Sequence, residues 1–518
     1  MNNIFISLFC IFSLSLSVYA QKIEIYHTSD VHGWYMSRPA KWDKENSTRS
    51  IGGFAVLSSL VKQSKNPYIL VDSGDMFQGT PEGNFTKGEA TVRYMNALGY
   101  SAAVVGNHDY DYGENNLILL SDAAKFPILG ANVYRKKDGK RPDYLKPYVI
   151  IEKAGKKIAF LGIAGTHTKT STLPKNVEHL NFLDEYSESA KYAAEIRKNN
   201  PDISALILLP HIGIDGKAAQ QKVDYSSKTF DENEIKWSSV KAARAAKADI
   251  TIGGHNHTGL ISGYRDPQGG LICESFWGLT DVTKIEIVFD EKTGKIQSSS
   301  CSLLPLWADL YGEDPEILKI TSELSERVSK EMDKKLGEAE NDILGSKDSP
   351  DSPIGNWMTD VMRQYAKTDM AFQNSGGIRS VINKGEIKIR DIYQVMPFEN
   401  TLVKMTMTGN QIKKLIQDNF RGNKSSMQIS GLTVKYKTKD GKNSEIILER
   451  NGKEIKPDDK FSVVTNNYLT TGGTGGSAFL LSSDIQDTMI PVRDALMEYI
   501  QKEGKISAPA SGRFIQID

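Results

Sequence analysis

Residue types that bind metals follow five separate apolar runs of the sequence. Each run has the composition of a buried strand, and each is followed within a few residues by Asp, Asn or His. The runs are 23–26, 68–71, 102–105, 203–209 and 250–252, and the residues after them are Asp30 and His32, Asp75, Asn107, His211, and His255 and His257. Open α/β sheets form their sites at the carboxyl ends of strands, so we expect these seven side chains to lie together.

The mixture of donors favours two metal ions. Imidazole nitrogens, carboxylate oxygens and one amide oxygen suit borderline divalent metals. Asp75 has two carboxylate oxygens and can bridge ions about 3.5–4 Å apart, the spacing of two-metal phosphatases, in which the ions lower the pKa of a shared water. Five of the eight histidines, His108 included, have such strand-end positions. The other three, His27, His167 and His179, are expected to be structural.

A histidine and a carboxylate accompany one of these ligands. The segment 106–111 reads Gly-Asn-His-Asp-Tyr-Asp, so His108 directly follows Asn107 and Asp111 comes three residues later. A histidine at this place can reach a phosphate. The segment therefore combines a metal ligand with groups that can act on the substrate.

Length and composition restrict the classes of function. A chain of 518 residues is too long for one core, so two domains and a connector are expected. The 64 basic and 64 acidic side chains cancel, which argues against a nucleic-acid polymer or an anionic membrane as partner. An apolar content of 39% is ordinary for a globular protein. Composition therefore indicates no polymer or membrane partner.

Apolar patterns predict a layered first domain and a connector. From residue 21 to about 307, strands alternate with helical patterns such as 52–63 and 87–98, which predicts an α/β domain with helices packed on sheets. Within residues 311–337, Asp314 and Pro315 form a good helix start, and the residues after them have one apolar stripe on an otherwise charged helix. This helix is either a connector that lies on a surface or part of the first domain's own outer layer.

The remaining sequence predicts an α+β domain from about residue 339 to the end. Helices and short strands are mixed there without an internal repeat. The predicted elements are helices from Ser352 to Tyr365 and over 408–420, and strands over 371–373, 432–436 and 461–465.

The first twenty residues have the pattern of an export signal. Residues 4–18 are apolar or small, too few to span a bilayer comfortably, and 18–20 resemble a cleavage site. An uncleaved membrane anchor is the alternative. Cys273 and Cys301 remain after cleavage and could form one disulfide or stay as buried thiols. We expect a periplasmic or extracellular protein without membrane attachment once the signal is removed.

The motifs resemble those of a known family. The segments 27–32, 72–75, 106–109 and 254–257, together with the single His211, match the calcineurin-like metallophosphoesterases. The segments 355–356, 374–379, 397–398 and 472–473 extend the match into the second domain. Over essentially the whole mature chain, the sequence resembles the secreted 5′-nucleotidase/UDP-sugar hydrolase family.

The resemblance implies an architecture and a role for each site residue. It implies a β-sandwich flanked by helices over 21–307, a connector helix over 308–338 and a substrate-binding α+β domain over 339–518. The implied ligands are Asp30, His32 and His257 for the first metal and Asn107, His211 and His255 for the second, with Asp75 as the bridge and zinc, manganese or cobalt as the ions. His108, oriented by Asp111, would stabilise charge on the phosphate and assist the leaving group. The implied substrate contacts are Asn374 and Arg379 to phosphate, and Phe398 and Tyr468 on either face of the base.

Two positions depart from the family pattern. The family often has an arginine just before the helix that contains Gly355, and the segment 348–352 has none. The family also has an aspartate for the ribose hydroxyls where this chain has Thr474. The metal ligands are therefore more completely represented than the nucleoside pocket.

The sequence predicts an exported phosphoesterase of the 5′-nucleotidase type, which uses metal-activated water and could also cleave nucleotide-sugar pyrophosphates. The alternatives that keep the fold and the metals are a 2′,3′-cyclic-nucleotide phosphodiesterase and a sulfur-ester hydrolase. A non-catalytic binding protein is the alternative from another class, and the complete ligand set argues against it. The oligomeric state is not predicted.

Overall fold

Two stacked sheets form the first domain, and their parallel strands end at one edge. The computed structural model describes residues 21–214, 218–225, 238–267, 270–346, 349–398, 400–439 and 441–517; the predicted signal, 1–20, lies outside them. In this described part, the first sheet contains, in spatial order, Ile296–Pro305, Asp281–Phe289, Gln21–Thr28, Tyr68–Asp72, Ala102–Val104, Ile128–Leu129 and Leu145–Lys146. The second contains Tyr264–Arg265, Leu271–Glu274, Ile250–Gly253, Ala205–Pro210, Lys156–Ile163 and Tyr148–Lys153.

Apolar side chains from both sheets fill the layer between them. Successive strand residues face opposite sides, so Ile25 and Ile207 lie in this layer, whereas Leu206 packs against outer helices. Strands buried on both faces read as continuous apolar runs, which is why the sequence revealed them. Cys273 and Cys301 lie in the same layer as free thiols.

Helices cover the outer faces of the sandwich. They are Phe54–Lys62, Pro81–Phe85, Glu89–Leu98, Glu114–Ala123, Thr168–Ser171, Glu185–Asn199 and Ser238–Ala246. The helices predicted over 52–63 and 87–98 are confirmed, and the second ends at Gly99, whose φ of 77° is left-handed. Among the described residues, no helix combines the length and the apolar composition that crossing a membrane requires.

Short two-stranded pairings complete the first domain. The described residues pair Arg38–Pro39 with Ser50–Ile51, Val133–Arg135 with Leu180–Phe182, and Lys222–Val223 with Gly259–Leu260.

The connector helix lies on the first domain and is shorter than the predicted span of 311–337. It covers Pro315–Met332, and Ile317 and Leu324 pack into the same cluster as Phe54 of the first domain. It is therefore both a connector and an outer helix of that domain. A separate short helix, Ala308–Tyr311, precedes it.

The start indicated by Asp314 and Pro315 is confirmed, whereas the predicted end was wrong. Gly312, with a φ of 76°, ends the short helix, and the residue before Pro315 is disfavoured in helical conformation. At the other end, Lys335–Ala339 is a strand that pairs antiparallel with Gly385–Lys388. Backbone pairing with the second domain thus replaces the last turn of the helical pattern.

The second domain mixes sheets and helices, as predicted. Its described strands form three sheets and one two-stranded ribbon. The three-stranded sheet contains Gly385–Lys388, Lys335–Ala339 and Lys505–Ile506, and the five-stranded sheet contains Met427–Ser430, Met370–Asn374, Lys460–Asn466, Thr401–Thr408 and Ser483–Pro491. The four-stranded sheet contains Lys453–Glu454, Lys442–Arg450, Thr433–Lys439 and Phe514–Gln516, and the ribbon pairs Phe420–Arg421 with Lys424–Ser425. Its helices are Pro353–Ala366, Ile389–Val395, Gly409–Asn419, Asn467–Thr470 and Val492–Glu503. The hydroxyls of Ser352 and Thr408 cap two of them, which confirms both predicted helix starts.

The buried N-cap of the connector helix gives a test of this architecture. Asp314 is 4% exposed and accepts hydrogen bonds from the Glu316 backbone N–H and the Ser58 hydroxyl. We expect Asp314→Ala to lower the free energy of unfolding by about 1–2 kcal/mol in urea titrations, since N-cap losses cost about 0.5–2 kcal/mol. The control is Asp309→Ala, which removes an exposed ion pair with Arg49 and should cost less than about 1 kcal/mol. Equal losses in the two variants would contradict this role of Asp314.

Candidate metal centre and interdomain pocket

The seven predicted metal ligands lie at the edge where parallel strands of both sheets end. Asp30 and His32 follow one strand, and their backbone N–H groups donate to the carbonyls of Gly74 and Asp75, at 2.9 and 3.1 Å. Asp75 and Asn107 follow the two neighbouring strands of the same sheet. In the second sheet, the ligands that follow two adjacent parallel strands are His211, His255 and His257.

Backbone strain is concentrated at these ligands. Five of the seven have left-handed backbone conformations, with φ between 49° and 72°; they are Asp30, His32, Asp75, His255 and His257. Such a conformation costs a non-glycine residue about 1–3 kcal/mol and persists where the surroundings fix it, commonly at functional sites. The loops therefore hold these side chains in place at a cost in stability.

The ligand atoms form three overlapping groups. In each group, atoms from three residues lie within 4.8 Å of one another. The groups are Asp30, His32 and His257; Asp30, Asp75 and His211; and His167, His211 and His255.

Asp75 occupies the centre of this arrangement. Its Oδ2 atom is 3.3 Å from the Nε2 atom of His211 and 4.0 Å from that of His32. The Oδ1 atom of Asn107 lies 3.1 Å from the same nitrogen of His211, and the Nε2 atoms of His32 and His257 are 3.1 Å apart. One carboxylate thus faces ligands of both expected metal positions.

Hydrogen bonds on the far side of two rings orient them as metal ligands. His32 donates from Nδ1 to the Gln78 carbonyl, and His211 donates from Nδ1 to the Ser73 carbonyl, both at 2.6 Å. Metal-binding histidines usually donate their other ring N–H to a carbonyl or carboxylate. Both Nε2 atoms are left to face the cluster, so the donor set fits a metal centre.

The charges also fit bound cations. Burial lowers the pKa of His32 to about 3 and the pKa values of His255 and His257 well below the usual value, which favours the neutral form that binds metals. Burial alone would lower the pKa of His211, but the charges of Asp75 and Asp30 raise it to about 10. The carboxylates of Asp75 and Asp30 therefore attract positive charge to His211, and a bound metal ion can supply that charge in place of the proton.

His108 and Asp111 form a hydrogen-bonded pair next to the cluster. The Nδ1–H group of His108 donates to Asp111 Oδ2 at 2.8 Å, and its backbone N–H donates to Asp75 Oδ1 at 2.8 Å. Thr172 donates to the other oxygen of Asp111 at 2.7 Å. Burial alone would lower the pKa of His108, but the charges of Asp111 and Asp75 raise it.

The second domain places its predicted substrate residues against this pair. The Phe398 ring lies 5.8 Å from the His108 ring, and the Arg379 guanidinium lies 5.4 Å from the centre of Phe398. The Tyr468 hydroxyl donates to the carbonyl of Thr170 in the first domain, at 2.7 Å. The two domains are therefore in direct contact around the site.

A cavity of about 370 Å³ lies between the domains. The described residues that line it include predicted metal ligands, the His108–Asp111 pair and predicted substrate contacts. They are Asn107, His108, Asp111 and His255 from the first domain, and Asn374, Arg379, Phe398, Tyr468 and Thr474 from the second. Asn374 accepts a hydrogen bond from Asn466 at 3.0 Å. All four predicted substrate residues face one space.

A second cavity, of about 380 Å³, lies beside the first metal group. It is lined by His32 and His257 together with Trp34, Gln78, Trp277 and Arg379. Arg379 thus lines both cavities, one on each side of the ligand cluster.

The sequence missed two residues of the site. His167 was expected to be structural, but its ring stacks on His255 with centroids 3.6 Å apart. Asp109 braces the ligand loops, because it accepts from the backbone N–H groups of Asp75, Met76 and Gly106. The signal for His167 was present, since it too follows an apolar run. Asp109 gave no signal, because its partners are backbone groups.

The other two histidines have the structural roles expected of them. His27 is buried, and its ring nitrogens lie 2.8 Å from the hydroxyls of Ser275 and Ser73. His179 is on the surface, 2.7 Å from a carboxylate oxygen of Glu114.

Comparison with known families matches each domain to a family model. Residues 23–259 match the model of the calcineurin-like phosphoesterases, and residues 335–480 match that of the 5′-nucleotidase C-terminal domain. Endonuclease YhcR of Bacillus subtilis is 28% identical over 433 residues, 79% of this chain and 33% of that protein, so the chain spans about a third of its length. A 5′-nucleotidase of Vibrio cholerae is 24% identical over 535 residues, 94% of this chain and 91% of that protein.

Two crystal structures have the same overall fold. A 5′-nucleotidase precursor from Thermus thermophilus has a TM-score of 0.79 at 23% identity, covering 96% of this chain and 99% of that chain. The sulfate thiohydrolase SoxB of Thermus thermophilus has a TM-score of 0.71 at 16% identity, covering 96% of each chain. At these identities the similarity establishes the fold alone. Since the two family models match the domain that contains the predicted ligands and the domain that completes the pocket, the chain belongs to the metallophosphoesterases with a 5′-nucleotidase C-terminal domain.

Proposed function

We propose that this protein is an exported phosphoric ester hydrolase and cleaves nucleoside phosphates at a centre of two divalent ions. One observation carries the proposal: a single cavity is lined by the ligands Asn107 and His255 on one side and by the aromatic rings of Phe398 and Tyr468 on the other. In this proposal residues 21–307 bind the metals, 308–338 connect the domains, and 339–518 bind the nucleoside. The pattern of residues 1–20 supports export.

Each ion has a set of side chains that could hold it. The ligands would be Asp30, His32 and His257 at the first position and Asn107, His211 and His255 at the second, with Asp75 shared. When bound, a pair of zinc, manganese or cobalt ions would supply Lewis-acid activation of water and of the phosphoryl group.

His108 would act on the phosphoryl group and the leaving oxygen. Because Asp111 accepts the Nδ1 proton, the Nε2 atom of His108 is left for the substrate. The raised pKa of His108 favours the protonated form, which can donate to a developing negative charge. Thr172 holds Asp111, and so fixes the orientation of the imidazole.

The second domain would bind the rest of the nucleotide. Arg379 has a planar fork of donors suited to phosphate oxygens, and Asn374 lines the same space. Phe398 and Tyr468 would stack on the base, and stacking accepts many bases. The second cavity, beside His32 and His257, has room for the further group of a nucleotide-sugar pyrophosphate.

The two alternatives share the fold and the metals. The similarity of the fold to that of SoxB supports a sulfur-ester hydrolase as an alternative. The His108–Asp111 pair and both aromatic rings favour nucleotides over that substrate. A cyclic nucleotide would use the same stacking residues and differ only at the scissile bond.

A substrate panel separates these functions. We expect mature protein supplied with zinc, manganese or cobalt to hydrolyse AMP faster than 2′,3′-cyclic AMP, a UDP-sugar or a cysteine S-sulfonate, and to lose activity with a chelator. Preference for the cyclic nucleotide or the S-sulfonate would replace the proposal by the corresponding alternative. Full activity after chelation would exclude the metal-dependent reaction.

The role proposed for His108 predicts that its replacement lowers turnover without changing metal binding. His108→Asn should lower kcat for AMP by about 10²–10⁴-fold, the span of a positioned acid–base group, and leave the metal content unchanged. His179→Asn, on the exposed surface, is the matched control and should leave both quantities unchanged. If His108→Asn lost a metal ion, His108 would be a ligand and its assignment would be wrong.

Thr474 predicts weak selection for ribose. Among the described residues that line the interdomain cavity, the one carboxylate is Asp111 of the first domain, so the second domain's described lining offers a ribose no carboxylate. Charged hydrogen bonds contribute about 1.5–3 kcal/mol and neutral ones about 1 kcal/mol. We expect wild-type protein to discriminate AMP from deoxy-AMP only a few-fold, and Thr474→Asp to lower KM for AMP by up to about tenfold with little change in kcat.

The control for this substitution is Thr471→Asp, which adds the same charge to an exposed position of the same loop. It should change neither KM nor the preference for ribose. Strong ribose selection by the wild type would mean that another group performs the task of the missing carboxylate.

A further inference from the structure

His167 reaches the ligand cluster in the same way as His211 and His255. The strand Lys156–Ile163 pairs parallel with Ala205–Pro210, which pairs parallel with Ile250–Gly253. Each of these three adjacent strands is followed by one of the three histidines. Their carboxyl ends meet at one edge, so the topology brings the three imidazoles together.

One ring nitrogen of the half-buried His167 has no hydrogen-bond partner among the described residues. This atom, Nε2, is itself buried. Buried polar atoms in proteins nearly always have a partner, and one without a partner calls for an explanation. The ring nitrogens of His167, His211 and His255 lie within 4.8 Å of one another, which offers such an explanation.

The start of the loop is built to hold this ring. Thr166 donates to Glu185 from both its backbone N–H and its hydroxyl, each at 2.6 Å. Gly165 leaves room for the ring, because a Cβ atom there would lie 1.9 Å from Cε1 of His167. A larger residue at 165 would push the imidazole out of its place.

We infer that His167 is an additional nitrogen ligand of the ion at the second position, beside Asn107, His211 and His255. This inference rests on the proposed two-metal centre. Two donors about 2.0–2.1 Å from one ion lie at most about 4.2 Å apart, so small rotations of the rings bring all three nitrogens into range. The stacked rings of His167 and His255 must then open from their 3.6 Å separation.

The added imidazole makes the second position richer in nitrogen than the first. Besides its two imidazoles, the first position has the carboxylate of Asp30 and shares that of Asp75. The second position shares Asp75 and has one amide and three imidazoles. Imidazole ligands suit zinc, nickel and copper better than manganese, which prefers oxygen ligands. The two positions should therefore differ in the ions that they prefer.

Removing the nitrogens while keeping the ring separates ligation from packing. His167→Phe retains a flat ring over His255, and His167→Ala removes both ring and nitrogens. The experiment titrates full-length mature protein with Co²⁺ against a competing chelator. Both variants should bind one of the two ions about tenfold or more weakly than the wild type does, and bind the other with unchanged affinity. His179→Phe, at the surface, is the control and should bind both ions as the wild type does.

A second readout needs no variant. In wild-type protein loaded with Co²⁺, imidazole N–H signals shifted by the ion should come from five histidines, which are His32, His167, His211, His255 and His257. Signals from four, without His167, would overturn the inference, as would normal binding of both ions by His167→Phe. Failure of the wild type to bind Co²⁺ at all would instead remove the proposed metal centre.

Discussion

The buried carboxylate of Asp75 and its need for positive charge organise the candidate site. Asp75 lies between His211 and His32, and its second oxygen accepts the backbone N–H of His108. A buried carboxylate is stable only when it is paired and hydrogen-bonded. Gly106 belongs to the same arrangement, because a Cβ atom at that position would lie 2.2 Å from Asp75 Oδ1. The strained loops and the glycine are consequences of bringing ligands from both sheets to one carboxylate.

The two domains contribute different groups to the candidate site around Asp75. The first domain supplies the ligands and the His108–Asp111 pair, whose positions depend on rigid strand ends. The second domain supplies aromatic rings and Arg379, and it meets the first through Phe398 and Tyr468. In the proposed function, a substrate in the shared cavity would contact both domains, so catalysis would depend on the domains being together. Substrate preference can then change in the second domain without disturbing the ligands.

Local patterns made much of this structure predictable. Strands buried on both faces gave continuous apolar runs, and the ligands after them were visible in the sequence. Pairing between distant segments was not visible in the sequence. Because the helical pattern runs on past Lys335, the strand that pairs with Gly385–Lys388 was predicted as the end of a helix. The proximity of His167 to the cluster could not be predicted, because the sequence does not show that its strand neighbours those before His211 and His255. Lone histidines are usually structural, and only adjacency in the sheet distinguishes this one.

Anomalous X-ray diffraction from crystals of the metal-loaded protein tests the central claim most directly. The account predicts two peaks about 3.5–4 Å apart, each in contact with one oxygen of Asp75. The peak nearer to Asp30 should be ligated by His32 and His257, and the other by Asn107, His211 and His255, with His167 as the additional ligand inferred above. A single ion, or two ions of which neither contacts Asp75, would contradict the account.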